Sequence, residues 1–214
     1  MSNFLSATGR KCVLAAPTGK AARVLTQKSG RVATTIHKKI YSTNDVKEYK
    51  VEGLDGSETY KFYAELRVNE DADNTVYIVD ESSMVSDVYS EGEFFRFGTG
   101  RLLSDLFKYI NLDHNDHDKK LIFIGDPAQL PPIGMPFSPA LNPSYLSKTF
   151  GVHQPPSYEL TQVVRQESGS GILRSASDVR GSTTRFSAGL HPEESSDVHP
   201  CATTRSCFKI TGSE

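Results

Sequence analysis

Unbroken apolar runs alternate along this chain with stretches whose apolar residues fall at helical spacing. Residues 11–16 predict a short apolar strand. "TVYIVD" and "LIFIG" predict two more, continuous enough to be buried on both faces of a sheet. From Thr18 onward, Ala21, Ala22, Val24 and Leu25 follow helical spacing behind a threonine suited to N-capping. Residues 34–41 predict a second, short helix. Residues 97–112 predict a third, with Leu102, Leu103, Leu106, Phe107 and Ile110 on its apolar face. Over 48–66, "EYKVEGLDGSETYKFYAEL" alternates about Asp55-Gly56, the pattern of a β-hairpin. "YELTQVV" predicts a further strand and residues 168–179 a further helix. Beyond Arg180 a Ser- and Thr-rich stretch loses all periodicity and is expected to be poorly ordered. Strands alternating with helices predict an α/β fold, a parallel, doubly wound sheet flanked by helices. The expected division is a domain over 1–180, with the 48–66 hairpin as a candidate insertion, and a tail over 181–214.

The net charge of −2 argues against a uniformly basic nucleic-acid binder, but the charge is unevenly placed. Residues 1–44 contain no Asp or Glu, yet carry Arg10, Lys11, Lys20, Arg23, Lys28, Arg31, Lys38 and Lys39. This makes one end of the domain positive, as contact with a phosphate backbone requires. The competing reading is a solvated basic face whose acidic partners arrive from elsewhere in the fold. Three cysteines, Cys12, Cys201 and Cys207, are too scattered for a disulfide framework or metal site. The histidines of "DHNDHDKK" lack neighbours that would complete a metal site. No window approaches a membrane-spanning length, and the N-terminus lacks a signal-peptide core. A reducing, cytoplasmic setting is therefore the default expectation.

"CVLAAPTGKAARVL" poses a test. A P-loop reads G-x-x-x-x-G-K-[ST], so that backbone N–H groups cradle phosphate and a hydroxyl holds Mg²⁺. Here Leu14 stands at the first glycine and Ala21 at the hydroxyl. The segment fails as a P-loop. More informative is "TVYIVDESSM", where an apolar strand ends in Asp80-Glu81. Open α/β sheets bind ligands at the carboxyl ends of their strands. A carboxylate there can hold Mg²⁺, and its neighbour can orient or deprotonate a water. The plainer alternative is an Asp that merely begins a turn. "LIFIGDPAQLPPIG" repeats the layout with Gly125, Asp126 and Gln129, followed by the stiff pair Pro131-Pro132. Gln129 can both donate and accept, which suits it to sensing a terminal phosphate. This segment can equally be a structural connection. Arg165 follows the "YELTQVV" strand and carries the planar, permanent charge suited to a γ-phosphate.

In their order, these pieces resemble the RecD/Dda-like branch of superfamily 1 DNA helicases. "LAAPTGKAARVL" is similar to that family's motif Ia and "TTIHKKI" to the short motif after it. "YIVDESSMVSD" is similar to motif II, "LIFIGDPAQLPPIG" to motif III and "ELTQVVRQ" to motif IV. The resemblance implies a RecA-like sheet and an ATP-dependent translocase moving 5′ to 3′ on single-stranded DNA. It implies ATP and Mg²⁺ as cofactors, with Asp80 holding Mg²⁺ and Glu81 activating water. Gln129 would couple the γ-phosphate to DNA, and Arg165 would touch that phosphate. Pro17, Thr18, Gly19, Lys20 and His37 would contact the DNA. The family's P-loop lies upstream of motif Ia, and its second motor domain follows. The expectation is thus an incomplete first motor domain whose partners are single-stranded DNA, the P-loop segment and the second motor domain, and which cannot hydrolyse ATP alone. The alternatives are a nucleic-acid-binding module without ATP chemistry and a non-functional truncated product.

Overall fold

A computed structural model describes residues 5, 7–52, 58–112, 117–153, 155–160, 198–200 and 208–210. It divides into two compact units, Met1–Ser157 and Tyr158–Glu214.

The first unit is built on a parallel sheet of four strands, β1 (Cys12–Ala16), β2 (Ala33–Thr35), β5 (Val76–Val79) and β7 (Lys120–Phe123), in the order β2-β1-β5-β7. The register pairs Leu14 with Ala33 on one side and with Ile78 on the other, and Ile78 with Ile122. Because side chains alternate across a strand, these residues divide between two cores. Ala15, Tyr77 and Val79 join Ile36, Ile40, Leu103, Leu106 and Ile110 in one. Leu14, Val76 and Ile78 join Leu5, with Leu25 packed against them, in the other. Helices therefore cover both faces of a doubly wound α/β sheet of the RecA-like type. β5 is buried along its whole length, whereas β7 is only half-buried, because it is the edge strand among the described residues. In this respect "LIFIG" departs from the reading as a fully buried strand.

Helix α1 (Gly19–Ser29) starts where the Thr18 side chain accepts a hydrogen bond from the Ala21 N–H. It stops at Gly30, whose left-handed backbone donates to Thr26 O. The segment 34–41 is not a single helix. β2 takes Ala33–Thr35, α2 spans Ile36–Ile40 behind a Thr35 cap, and Tyr41 opens the next strand. The β-branched pair Thr34-Thr35 favours extended backbone, and β1 supplies a partner for it.

The alternating segment forms an antiparallel pair, β3 (Tyr41–Glu52) with β4 (Glu58–Leu66). β4 also pairs in parallel with β6 (Phe95–Phe97), a strand the sequence pattern does not reveal. Helix α3 spans Leu102–Ile110 rather than 97–112, because β6 and a turn through Gly98 and Gly100 occupy its predicted start. A short helix, α4 (Pro143–Phe150), adds Leu146 to the core. The second unit contributes a strand pair, β8 (Val198–Pro200) with β9 (Phe208–Ile210), in antiparallel register. Of the predicted strand "YELTQVV", residues 158–160 are not in a strand. Its remainder and the predicted helix at 168–179 lie outside the described residues.

Candidate functional site

The parallel sheet brings the carboxyl ends of β1, β2, β5 and β7 to one edge, and every sequence-predicted site residue within the described chain follows one of those ends. Pro17, Thr18, Gly19 and Lys20 follow β1, His37 follows β2, Asp80-Glu81 follow β5, and Gln129 follows β7. Backbone hydrogen bonds stitch the edge together. The Asp80 amide donates to Ala15 O at 2.9 Å, the Ile124 amide to Val79 O at 2.8 Å and the Ser82 amide to Ile124 O at 2.9 Å. Arg165 lies outside the described residues.

Asp80 accepts from the Glu81 N–H at 3.0 Å. Neither carboxylate takes part in an ion pair among the described residues. Glu81 adopts a left-handed backbone, φ 52°, and leads into the 3₁₀ turn Ser82–Met84. Gly125 lies against that turn. A Cβ on it would sit 3.0 Å from Ser83 N and 3.1 Å from Ser82 N, so any side chain there would push the β7 loop off the turn by a few tenths of an ångström. Beyond it, Asp126 Oδ1 accepts from the Ala128 N–H and Asp126 O from the Gln129 N–H. This folded loop leaves Gln129 exposed. Two hard oxygen donors at a strand end, uncompensated by any described cation, fit a Mg²⁺ ion carrying its own waters.

The β1–α1 connection does not fit a phosphate cradle. Only Pro17 and Thr18 separate Ala16 from the first helical residue, and the Thr18 side chain caps its own helix. A P-loop needs a longer, glycine-lined wrap. What the connection offers is a helix N-terminus with no acidic residue in its first turn and with Lys20 and Arg23 exposed beside it. Such an end attracts anions.

The acid-free run resolves into two populations. Arg10 pairs with Asp118, and Lys39 pairs with Asp71 at 2.8 Å. Burial pushes the Asp71 carboxyl up, but hydrogen bonds from Lys39 and Tyr77 outweigh it and hold the group below its ordinary value. For these two cations the acidic partners do arrive from elsewhere in the fold. Lys20, Arg23, Lys28 and Lys38 are exposed and form no ion pair among the described residues.

His37 is half-buried between two rings, Tyr41 at 5.6 Å and Phe97 at 5.1 Å between centroids. Burial lowers its pKa, which favours the neutral imidazole. The sequence reading names His37 but none of the residues that seat it. Beneath the rings, the fully buried Asp105 accepts from the Tyr41 hydroxyl at 2.7 Å and from the Thr99 amide and hydroxyl at 2.9 Å each. A second buried carboxylate, Asp87, accepts from the Ser104 amide and hydroxyl and from the Tyr145 hydroxyl. It thus caps α3, whose own N-cap residue, Arg101, makes no side-chain cap. Asp105 sits within the helix-spaced run 97–112 and Asp87 in an irregular segment before it, and neither carries a local signal of the partners it meets.

Comparison with known proteins agrees with this architecture. A family model described as "AAA domain" matches residues 1–135, and the chain belongs to that family, a P-loop NTPase class with helicase-like organisation. Over 143 residues the chain is 34% identical to the "Uncharacterized protein MJ1519" of Methanocaldococcus jannaschii. The match takes in 64% of this chain and 10% of the relative, so the chain spans about a tenth of that protein's length. Proteins of this class generally use a nucleotide and Mg²⁺. Among the described residues, no helix is long and apolar enough to cross a membrane.

Proposed function

We propose that this chain is a motor-domain piece of a RecD-like, ATP-driven helicase that moves 5′ to 3′ on single-stranded DNA. The observation that carries the reading is the convergence of the Pro17–Lys20, Asp80-Glu81 and Gln129 loops on one hydrogen-bonded sheet edge. In this reading Asp80 would hold Mg²⁺ and Glu81 would polarise the attacking water. Gln129 senses the γ-phosphate, and Arg165 contacts it. When bound, the metal would supply charge neutralisation on the phosphates. The Thr18 hydroxyl, accepting from Ala21, keeps its own proton free to donate to a backbone phosphate. Gly19 and Lys20 present the helix N-terminus and a cation to the same strand, with Pro17 and His37 alongside. The β/γ-phosphate cradle comes from a segment other than 14–21.

Two measurements test this. A labelled oligothymidylate should bind in a salt-sensitive way, and binding should weaken in Lys20→Ala; no binding at low salt overturns the reading. ATP turnover by these 214 residues, with or without the oligonucleotide, should be absent. DNA-stimulated turnover abolished by Glu81→Gln would instead show that a loop within the chain supplies the cradle.

A further inference from the structure

The aromatic seat of His37 is held from below by the buried carboxylate of Asp105. Asp105 is fully buried in α3, and both of its oxygens accept hydrogen bonds. One bond comes from Tyr41, the first residue of β3 and the neighbour of His37 across a 5.6 Å ring contact. The other two come from Thr99, which follows β6 and its terminal Phe97, the second ring on His37. Tyr41 and Phe97 are themselves 5.2 Å apart. Gly98, left-handed at φ 48°, has no space for a side chain. A Cβ there would reach within 2.6 Å of the Tyr41 ring and collide with Asp105. The backbone of Tyr41 is fixed as well, its carbonyl accepting from Arg67 Nε at 2.8 Å. One buried carboxylate thus ties together both rings on His37 and the two strands, β3 and β6, that flank β4.

We propose that Asp105 is a positioning residue for nucleic-acid binding: through Tyr41 and the Thr99–Phe97 turn it fixes the His37 ring against the base of the hairpin sheet. The proposal rests on the reading of His37 as a nucleic-acid contact. The hairpin sheet and the His37 contact then form one rigid body, and a shift of α3 is felt at His37. α3 is itself tied through Asp87 to the segment that carries Asp80 and Glu81.

The test uses Tyr41→Phe, which keeps the ring and removes only the hydroxyl, with Asp105→Asn as a second variant. Two quantities are read in the full chain: the His37 ring resonances by NMR, and affinity for a labelled oligothymidylate. Loss of one hydrogen bond of ordinary strength predicts binding weaker by roughly three- to tenfold, with shifted His37 resonances, in Tyr41→Phe. A purely structural role would lower the melting temperature and leave those resonances in place, and that result overturns the proposal. Shifted resonances with unchanged affinity overturn it too, because the seat would then not serve binding. If the wild-type chain does not bind the oligonucleotide, the nucleic-acid reading itself fails and the proposal falls with it. An unmoved His37 signal in a chain that binds removes only the positioning role.

Discussion

The sheet edge and the hairpin base adjoin each other at α2, yet they are built in opposite ways. At the edge, backbone hydrogen bonds stitch strand ends together, while Gly19, Lys20 and Gln129 face water. At the base, Tyr41, Ala64, Gly98 and Asp105 are buried, and the polar atoms of Tyr41 and Asp105 have partners. The same contrast runs through the acid-free run, where Lys39 is spent on Asp71 while Lys20 is left to solvent. A stretch uniform in sequence is thus divided by the fold into cations that hold the protein together and cations available to a ligand.

Substitutions at the two sites should separate the two designs. Gly98→Ala should have the largest effect on folding, a loss of roughly 3 kcal/mol or more, because the left-handed backbone and the Asp105 and Tyr41 contacts all oppose a Cβ. Its check is the urea midpoint. Asp105→Ala leaves the Tyr41 hydroxyl and the Thr99 amide without their acceptor in the interior, and should cost about 2–3 kcal/mol in the same measurement. Lys39→Ala should cost about 1 kcal/mol and leave oligonucleotide affinity unchanged. Lys20→Ala should do the reverse. Its stability should stay within about 0.5 kcal/mol, as for exposed sites generally, while binding weakens and becomes less steeply dependent on salt. Equal behaviour of the two lysines in both assays would break the comparison.

The smallest expected effect is on pH dependence. The folded-state pKa of His37 lies below its ordinary 6.5 because burial disfavours the imidazolium. Between the two values the unfolded chain takes up a proton that the folded chain refuses. Stability is therefore full above pH 6.5 and falls as pH drops through that window. Melting temperature against pH should show this decline in the wild-type chain and lose it in His37→Gln.

The edge was the more legible of the two regions. "TVYIVD" is apolar because strands on both sides and helices on both faces surround it, whereas "LIFIG", half-buried, has β5 on one side and lends Leu121, Ile122 and Phe123 to the two cores. Asp80, Glu81 and Gln129 could be placed at the strand ends because each follows such a run. The base was not legible, because it is assembled from distant pieces. β6 is three residues long and becomes a strand only because Phe62 and Ala64 offer it a partner. Thr34 and Thr35 leave the predicted helix for the same reason, with β1 as partner. Asp105 looks like any acidic residue on a helix until Tyr41 and Thr99 fold over it. Periodicity records which face of an element is buried, not which distant group will meet it.

Glu81 carries a consequence of its own. Its left-handed backbone is one that glycine adopts freely and that a longer side chain adopts at a cost of about 1 kcal/mol. Glycine at this position should therefore make the chain more stable, while removing the carboxylate to which the proposed role assigns water activation. Selection for robustness alone would favour glycine here. Under the proposed role, glutamate at 81 would be a position where folding and chemistry make opposing demands on one residue.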